Sequence, residues 1–261
     1  MPQINADGAR LHYQESGRSD GPVLVFSNSL GSDRSMWAGQ VPAFGVSHRV
    51  VCYDSRGHGA SSVGPVPYNI AMLGRDVLAL MDALQVDRFS FCGISMGGLT
   101  GMWLGMHCAD RLERLALCNT AARIGSDALW NARIEKVSAG GVAAISDAVL
   151  ERWFTSGFAA REPQILRRMR AMMEAVPAEG YVASCAAVRD ADFRGTVRDI
   201  VAPTLVIAGT HDVAATPADG RYLVAEIAGS KYVELPGAHI SNVECETAFN
   251  ASLSAFLEAE A

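Results

Sequence analysis

The sequence predicts an α/β fold built on a mostly parallel, doubly wound sheet. Short apolar runs end in turn residues, amphipathic helical patterns lie between them, and the chain is long enough for one large core. Its 261 residues are 49% apolar and 19% charged, the composition of a globule and not of a disordered chain. Runs that are apolar at every position, instead of at alternate ones, suit strands covered on both faces.

In chain order, "RLHYQES" (10–16) alternates loosely and reads as an edge strand. Six further runs read as buried strands: "PVLVFSN" (22–28), "RVVCYD" (49–54), "RFSFCGI" (88–94), "LERLALCNT" (112–120), "PTLVIAG" (203–209) and "KYVELPG" (231–237). In "NIAMLGRDVLALMDALQ" (69–85), Met72, Val77, Leu80, Met81 and Leu84 recur at three- and four-residue steps, which predicts a helix with one apolar face. "SLSAFLEA" closes the chain in the same manner. From Ala121 to about Asp199 no strand is found, only helical patches such as "ALWNARIEKV", "ISDAVLERWF" and "PQILRRMRAMMEAV". The chain thus divides into a core, 1–120 with 200–261, and a helical cap, 121–199. Such a cap would lie over the sheet's carboxyl edge, where open α/β sheets bind ligands.

Charge narrows the function. A net charge of -6 provides no general attraction to nucleic acid or to an anionic membrane. An anionic ligand would have to meet a local cation. The start, "MPQINADGARLHYQ", is too polar for a secretory leader, and no apolar run nears the roughly 18 residues that span a bilayer. Six cysteines occur without C-x-x-C pairs and six histidines without H-x-x-x-H spacing. They read as reduced core thiols and ordinary histidines, so a cytoplasmic protein without a metal is expected. The oligomeric state stays open, a homo-oligomer included.

Two serines fit G-x-S-x-G. Ser19 lies in "SGRSDGP", with no helix after it, and reads as a hairpin loop. Ser95 follows "RFSFCGI" and opens the helical "SMGGLTGMWLGMHC". A strand, a sharp turn and a helix form the context in which such a serine becomes an exposed nucleophile. A serine hydroxyl needs a base, and the partners are expected in the order acid, then histidine, each after a late strand. "PTLVIAGTHDVAATP" supplies Asp212 and "KYVELPGAHISNVE" supplies His239. His211 reads as a loop residue, because its neighbour Asp212 already holds the acid's place. His12, His48, His58 and His107 read as structural or solvated. An oxyanion hole needs two N–H donors: Met96, just after the serine, and a residue of "SNSLGSDRSMW".

With these motifs in place the chain resembles the α/β-hydrolase family. Most members begin the oxyanion loop with His-Gly; Asn28 and Ser29 stand there here, which makes Leu30 the donor. "SNSLGSDRSMW", "YDSRGHGASS" and "GISMGGLTGMWLG" are similar, within that family, to the 3-oxoadipate enol-lactonases of aromatic breakdown by the β-ketoadipate route. The resemblance implies a cap inserted after the sixth strand, a small anionic lactone as substrate, no cofactor, and a catalytic set of Ser95, Asp212 and His239. It further implies a cation in the cap for the substrate's carboxylate. A helix from about Asp127 puts Trp130 and Arg133 three apart on one face, so Arg133 is the candidate cation, with Trp130 and Trp153 as apolar walls. Arg56 and His58 read as loop braces, and "RRMR" (167–170) as a solvated helix face. The same triad would also serve a general carboxylesterase, a perhydrolase or a C–C bond hydrolase. A ligand receptor without catalysis is the remaining alternative, although binding alone does not need a complete triad.

Overall fold

Strands that are apolar throughout need cover on both faces, and the sheet provides it except at 231–237. That run reads as a buried strand, but its strand, Lys231–Leu235, forms an edge of the sheet with only Leu235 buried. A computed structural model describes residues 2–259. Its eight strands are β1 (Gln3–Ala6), β2 (Ala9–Gly17), β3 (Val23–Ser27), β4 (Arg49–Tyr53), β5 (Phe89–Ile94), β6 (Leu112–Cys118), β7 (Thr204–Gly209) and β8 (Lys231–Leu235). They form one sheet in the order β1-β2-β4-β3-β5-β6-β7-β8. The six from β4 to β8 are parallel, whereas β2 pairs antiparallel with both β1 and β4. Every residue of β5 and β7 is buried, as the unbroken apolar runs require.

Two details at the amino end differ from the sequence reading. The run at 10–16 forms a strand, but not an edge. β1 covers its outer side through a tight turn in which Asp7 and Gly8 both have positive φ, 45° and 77°. An Asp-Gly pair between short strands is itself a hairpin signal. The loop holding Ser19 is no hairpin, because β4 lies between β2 and β3 in the sheet. It crosses over an intervening strand, and Ser19 is exposed on it.

The helices are α1 (Gln40–Gly45), α2 (Ile70–Ala83), α3 (Met96–His107), α4 (Asp127–Gly140), α5 (Ser146–Trp153), α6 (Ser156–Arg161), α7 (Pro163–Glu174), α8 (Ala178–Arg189), α9 (Pro217–Glu226), α10 (Ser241–Glu244) and α11 (Glu246–Leu257). Asn69 starts α2 where the apolar periodicity begins, its side chain accepting from the Met72 amide at 2.8 Å. α3 packs on β5 and β6, and α9 on β7 and β8. None of the described helices is long and apolar enough to cross a membrane.

Helices α4 to α8 fall between β6 and β7, with α4 against α8 and α5 against α7. Three contacts fasten this unit to the edge of the sheet. The Ile240 amide donates to the Trp153 carbonyl at 3.0 Å. Glu244 accepts from the Thr155 amide at 3.2 Å and from the Ala238 amide at 2.8 Å. Gly180 of α8 lies back to back with Gly57, so that a Cβ on Gly180 would sit 2.6 Å from Gly57 Cα.

Candidate active site

β5 passes into α3 through one residue, Ser95, whose φ of 58° and ψ of -112° lie outside the ordinary regions for a side-chain-bearing residue. Its surroundings hold it there. The Ser95 amide donates to the Cys118 carbonyl at 3.0 Å, and its carbonyl accepts from Thr120 Oγ1 at 2.9 Å. The flanking glycines are a steric necessity: a Cβ on Gly93 would meet the Gly97 carbonyl oxygen at 2.2 Å, and one on Gly97 the Ser27 oxygen at 2.4 Å. That is why the serine carries so little bulk around it.

The loop after β3 comes up beside this turn. Asn28 ties it down: its side chain donates to the Tyr53 carbonyl at 3.0 Å and accepts from Trp37 Nε1 at 2.9 Å. Its carbonyl accepts from the Gly97 amide at 3.1 Å, which joins the loop to the start of α3. His58 Nε2 accepts from the Gly31 amide at 3.0 Å, and its Nδ1 faces the Arg56 carbonyl at 3.2 Å. Complete burial lowers the His58 pKa and favours the neutral ring that this tautomer needs. Arg56 is itself buried against Asp76, with Nε 2.6 Å from Oδ2. Between these fixed points lie the amides of Leu30 and Met96, for which no acceptor is found among the described residues.

Asp212 and His239 come from the loops after β7 and β8. His239 Nδ1 is 2.8 Å from Asp212 Oδ2. The other oxygen, Oδ1, accepts from the amides of Ala214 at 2.8 Å and Ala215 at 3.0 Å. Burial alone would raise the Asp212 pKa, but the His239 imidazole and these two amides outweigh it and hold the carboxyl below its usual range. Ser95 and His239 line one cavity together with Leu30, Trp130, Arg133 and Trp153. No hydrogen bond joins Ser95 Oγ to the His239 ring among the described residues; such bonds often tighten only when substrate is bound.

In the cap, Ser126 starts α4 and turns Trp130 and Arg133 toward this cavity. Trp130 is buried and donates from Nε1 to the Ile124 carbonyl at 2.6 Å, which fixes its ring. The Arg133 guanidinium lies 4.8 Å from that ring's centre. No carboxylate pairs with Arg133 among the described residues. By contrast, Arg123, Arg170, Arg189 and Arg194 of the same segment all pair with acids. His211, the alternative base, is exposed, and its amide donates to the Gly237 carbonyl at 2.9 Å.

Two residues here were not foreseen. Asn119, just past β6, has a φ of 45° and donates from Nδ2 to Asp212 Oδ2 at 3.1 Å and to the Ala238 carbonyl at 3.0 Å. Its Oδ1 accepts from Ser241 Oγ at 2.5 Å, so one amide side chain braces the acid and both sides of the histidine loop. The signal was a polar residue at a buried strand's end, which alone does not say what it touches. Arg152, beside Trp153, also lines the cavity.

Comparisons with known proteins agree with this architecture. Residues 22–140 match the model of the alpha/beta hydrolase fold. Two proteins of Acinetobacter baylyi are similar over nearly their whole length. 3-oxoadipate enol-lactonase 2 is 44% identical over 98% of this chain and 96% of its own. 3-oxoadipate enol-lactonase 1 is 39% identical over 97% and 95%. The crystal structure of the enol-lactonase from Burkholderia xenovorans LB400 superposes with a TM-score of 0.98 at 49% identity, covering 99% of this chain and 100% of that one. The chain therefore belongs to the α/β-hydrolase family, in the branch that contains the 3-oxoadipate enol-lactonases.

Proposed function

We propose that this protein hydrolyses 3-oxoadipate enol-lactone to 3-oxoadipate through an acyl-enzyme on Ser95. His239 takes the serine proton while Asp212 holds the ring in the tautomer that leaves Nε2 free to accept it. The oxygen attacks the lactone carbonyl, and the amides of Leu30 and Met96 take up the charge that develops on the carbonyl oxygen. The ring C–O bond breaks, the enol leaving group receives the proton and becomes a ketone, and water activated by His239 then releases the acid. Each of these steps is carried by protein groups alone. In the cell this reaction would serve the β-ketoadipate route of aromatic breakdown.

One observation favours this lactone over a neutral ester. Arg133 faces the cavity that holds Ser95 and His239, stacked on Trp130 and without a carboxylate partner among the described residues. A guanidinium in a partly apolar site gains from an anionic ligand, and the carboxymethyl arm of the lactone supplies one. Trp130, Trp153 and Val149 offer the ring an apolar wall. The relatives' names point the same way. The test is a hydrolysis assay that compares the enol-lactone with uncharged p-nitrophenyl esters. The reading expects a strong preference for the lactone, and equal rates on both would refute it.

A further inference from the structure

We propose that the cleft between α4 and α5 is an entry and binding site for small carboxylate anions, where Lys136 and Arg152 draw the anion in and pass it to Arg133. Eight residues line this outer cavity. Arg133, Lys136 and Arg152 are cations, none of the eight is acidic, and the others are aliphatic. Leu129, Arg133, Val149 and Arg152 also line the inner cavity with Ser95 and His239. The two cavities adjoin, and both guanidinium groups stand at their boundary.

The charges are not spent elsewhere. Neither Lys136 nor Arg152 pairs with a carboxylate among the described residues, whereas most arginines of the chain do. Asp147 and Glu151, the two acids of α5, line a different groove with Arg167 and Arg170, so the helix turns its acids away from the cleft. The contrast with the whole molecule gives the cleft its purpose. At a net charge of -6 the protein repels a carboxylate at long range. A cleft of one sign with apolar walls reverses that locally and raises the encounter rate, an effect that salt screens within about 8 to 10 Å.

The inference rests on the proposed function for the identity of the natural anion, but its test does not. Glutarate is titrated calorimetrically into the wild type and into Lys136→Gln, Arg152→Gln, Arg152→Lys and Arg167→Gln. The wild type should bind glutarate, more weakly as salt is raised. Lys136→Gln and Arg152→Gln should each weaken binding by roughly tenfold, near the lower end for a charged hydrogen bond, and flatten the salt dependence. Arg152→Lys should keep most of the affinity, because steering needs charge and not the fork of a guanidinium. Arg167→Gln removes an arginine that faces another groove and should bind like the wild type. Glutarate binding that is absent at low salt, or unchanged in both neutralised variants, would overturn the proposal. Failure of the enol-lactonase reading would show separately, as a wild type that binds glutarate but does not open the lactone.

Discussion

At the carboxyl edge of the sheet, Ser95, Asp212 and His239 each sit a few residues past a strand end. They are held by the bond from the Ser95 amide to the Cys118 carbonyl, those from the Ala214 and Ala215 amides to Asp212, and that between His239 and Asp212. In the cap, Arg133, Lys136 and Arg152 project from helices into cavities, and no carboxylate holds them among the described residues. The edge is preorganised by many local constraints, and the cap offers charges that await a partner. A reaction needs the first kind of placement, since misplacing reacting groups by even 1 Å costs rate; recognition of an anion tolerates the second. The two regions should therefore fail differently when altered.

The largest effect tests the edge. Ser95→Ala removes one oxygen and should lower kcat on the order of a millionfold, as loss of a triad serine does elsewhere, with the thermal midpoint little changed. Ser19→Ala, at the second G-x-S-x-G, should keep full activity, because Ser19 sits exposed on a loop. An inactive Ser19→Ala beside an active Ser95→Ala would reverse the assignment.

Next comes Asp212→Asn. It should cost about 10⁴-fold in kcat, since the histidine then favours the wrong tautomer. The His239 imidazole and the Ala214 and Ala215 amides outweigh burial and hold the Asp212 carboxyl below its usual range, which favours the ionised form. Its ionisation should therefore add no step to the acid limb of kcat/KM within the ordinary carboxylate range. The sign for stability follows from the same shift. A lowered folded-state pKa contributes stability above the ordinary carboxylate range, and that contribution is lost as pH falls through the folded value. The stability advantage of the wild type over Asp212→Asn, measured by denaturant unfolding followed by circular dichroism, should be full near neutrality and shrink as pH falls through that window.

The third prediction moves to the cap. Arg133→Ala should raise KM for the anionic lactone by about 10- to 150-fold, the range for losing a charged hydrogen bond, with kcat changed far less. The loss on an uncharged ester should be smaller by most of that factor. Arg133→Lys should recover little, because bidentate grip needs the planar fork. Equal losses on charged and neutral substrates would make Arg133 a packing residue.

The same division explains how much could be read from the chain. The edge was legible because it is sequential: Gly93 and Gly97 flank the serine they permit, and Asp212 and His239 follow their strands at short spacings. Strand ends drifted by a few residues, β8 stopping at Leu235 where the run suggested 237. What was missed depends on contact through space. Asn119 looks like any strand-end asparagine until Asp212, Ala238 and Ser241 are brought around it. Arg152 is one helix arginine among several, and only the adjoining cavities distinguish it. β1 was overlooked although Asp7-Gly8 marked its turn, because four half-polar residues carry no apolar pattern.

The smallest expected effect joins the two regions. α8 approaches the loop behind Leu30 at a point where Gly180 and Gly57 touch backbone to backbone, and where His58 grips the Gly31 amide. A Cβ at 180 would lie 2.6 Å from Gly57 Cα, and backbone cannot swing aside as a side chain would. Gly180→Ala should therefore lift the cap slightly, at a cost of about 1 to 3 kcal/mol, the range for overpacking a tight site. Gly195→Ala is the matched control, since its Cβ would meet nothing within 4 Å. It should hold the thermal midpoint or raise it, while Gly180→Ala lowers it by a few degrees. If cap and edge act as separate devices, Gly180→Ala should raise KM for the lactone a few-fold and leave kcat nearly intact. A collapse of kcat instead would show that the cap holds the Leu30 loop in place, and the line drawn between the two regions would have to move.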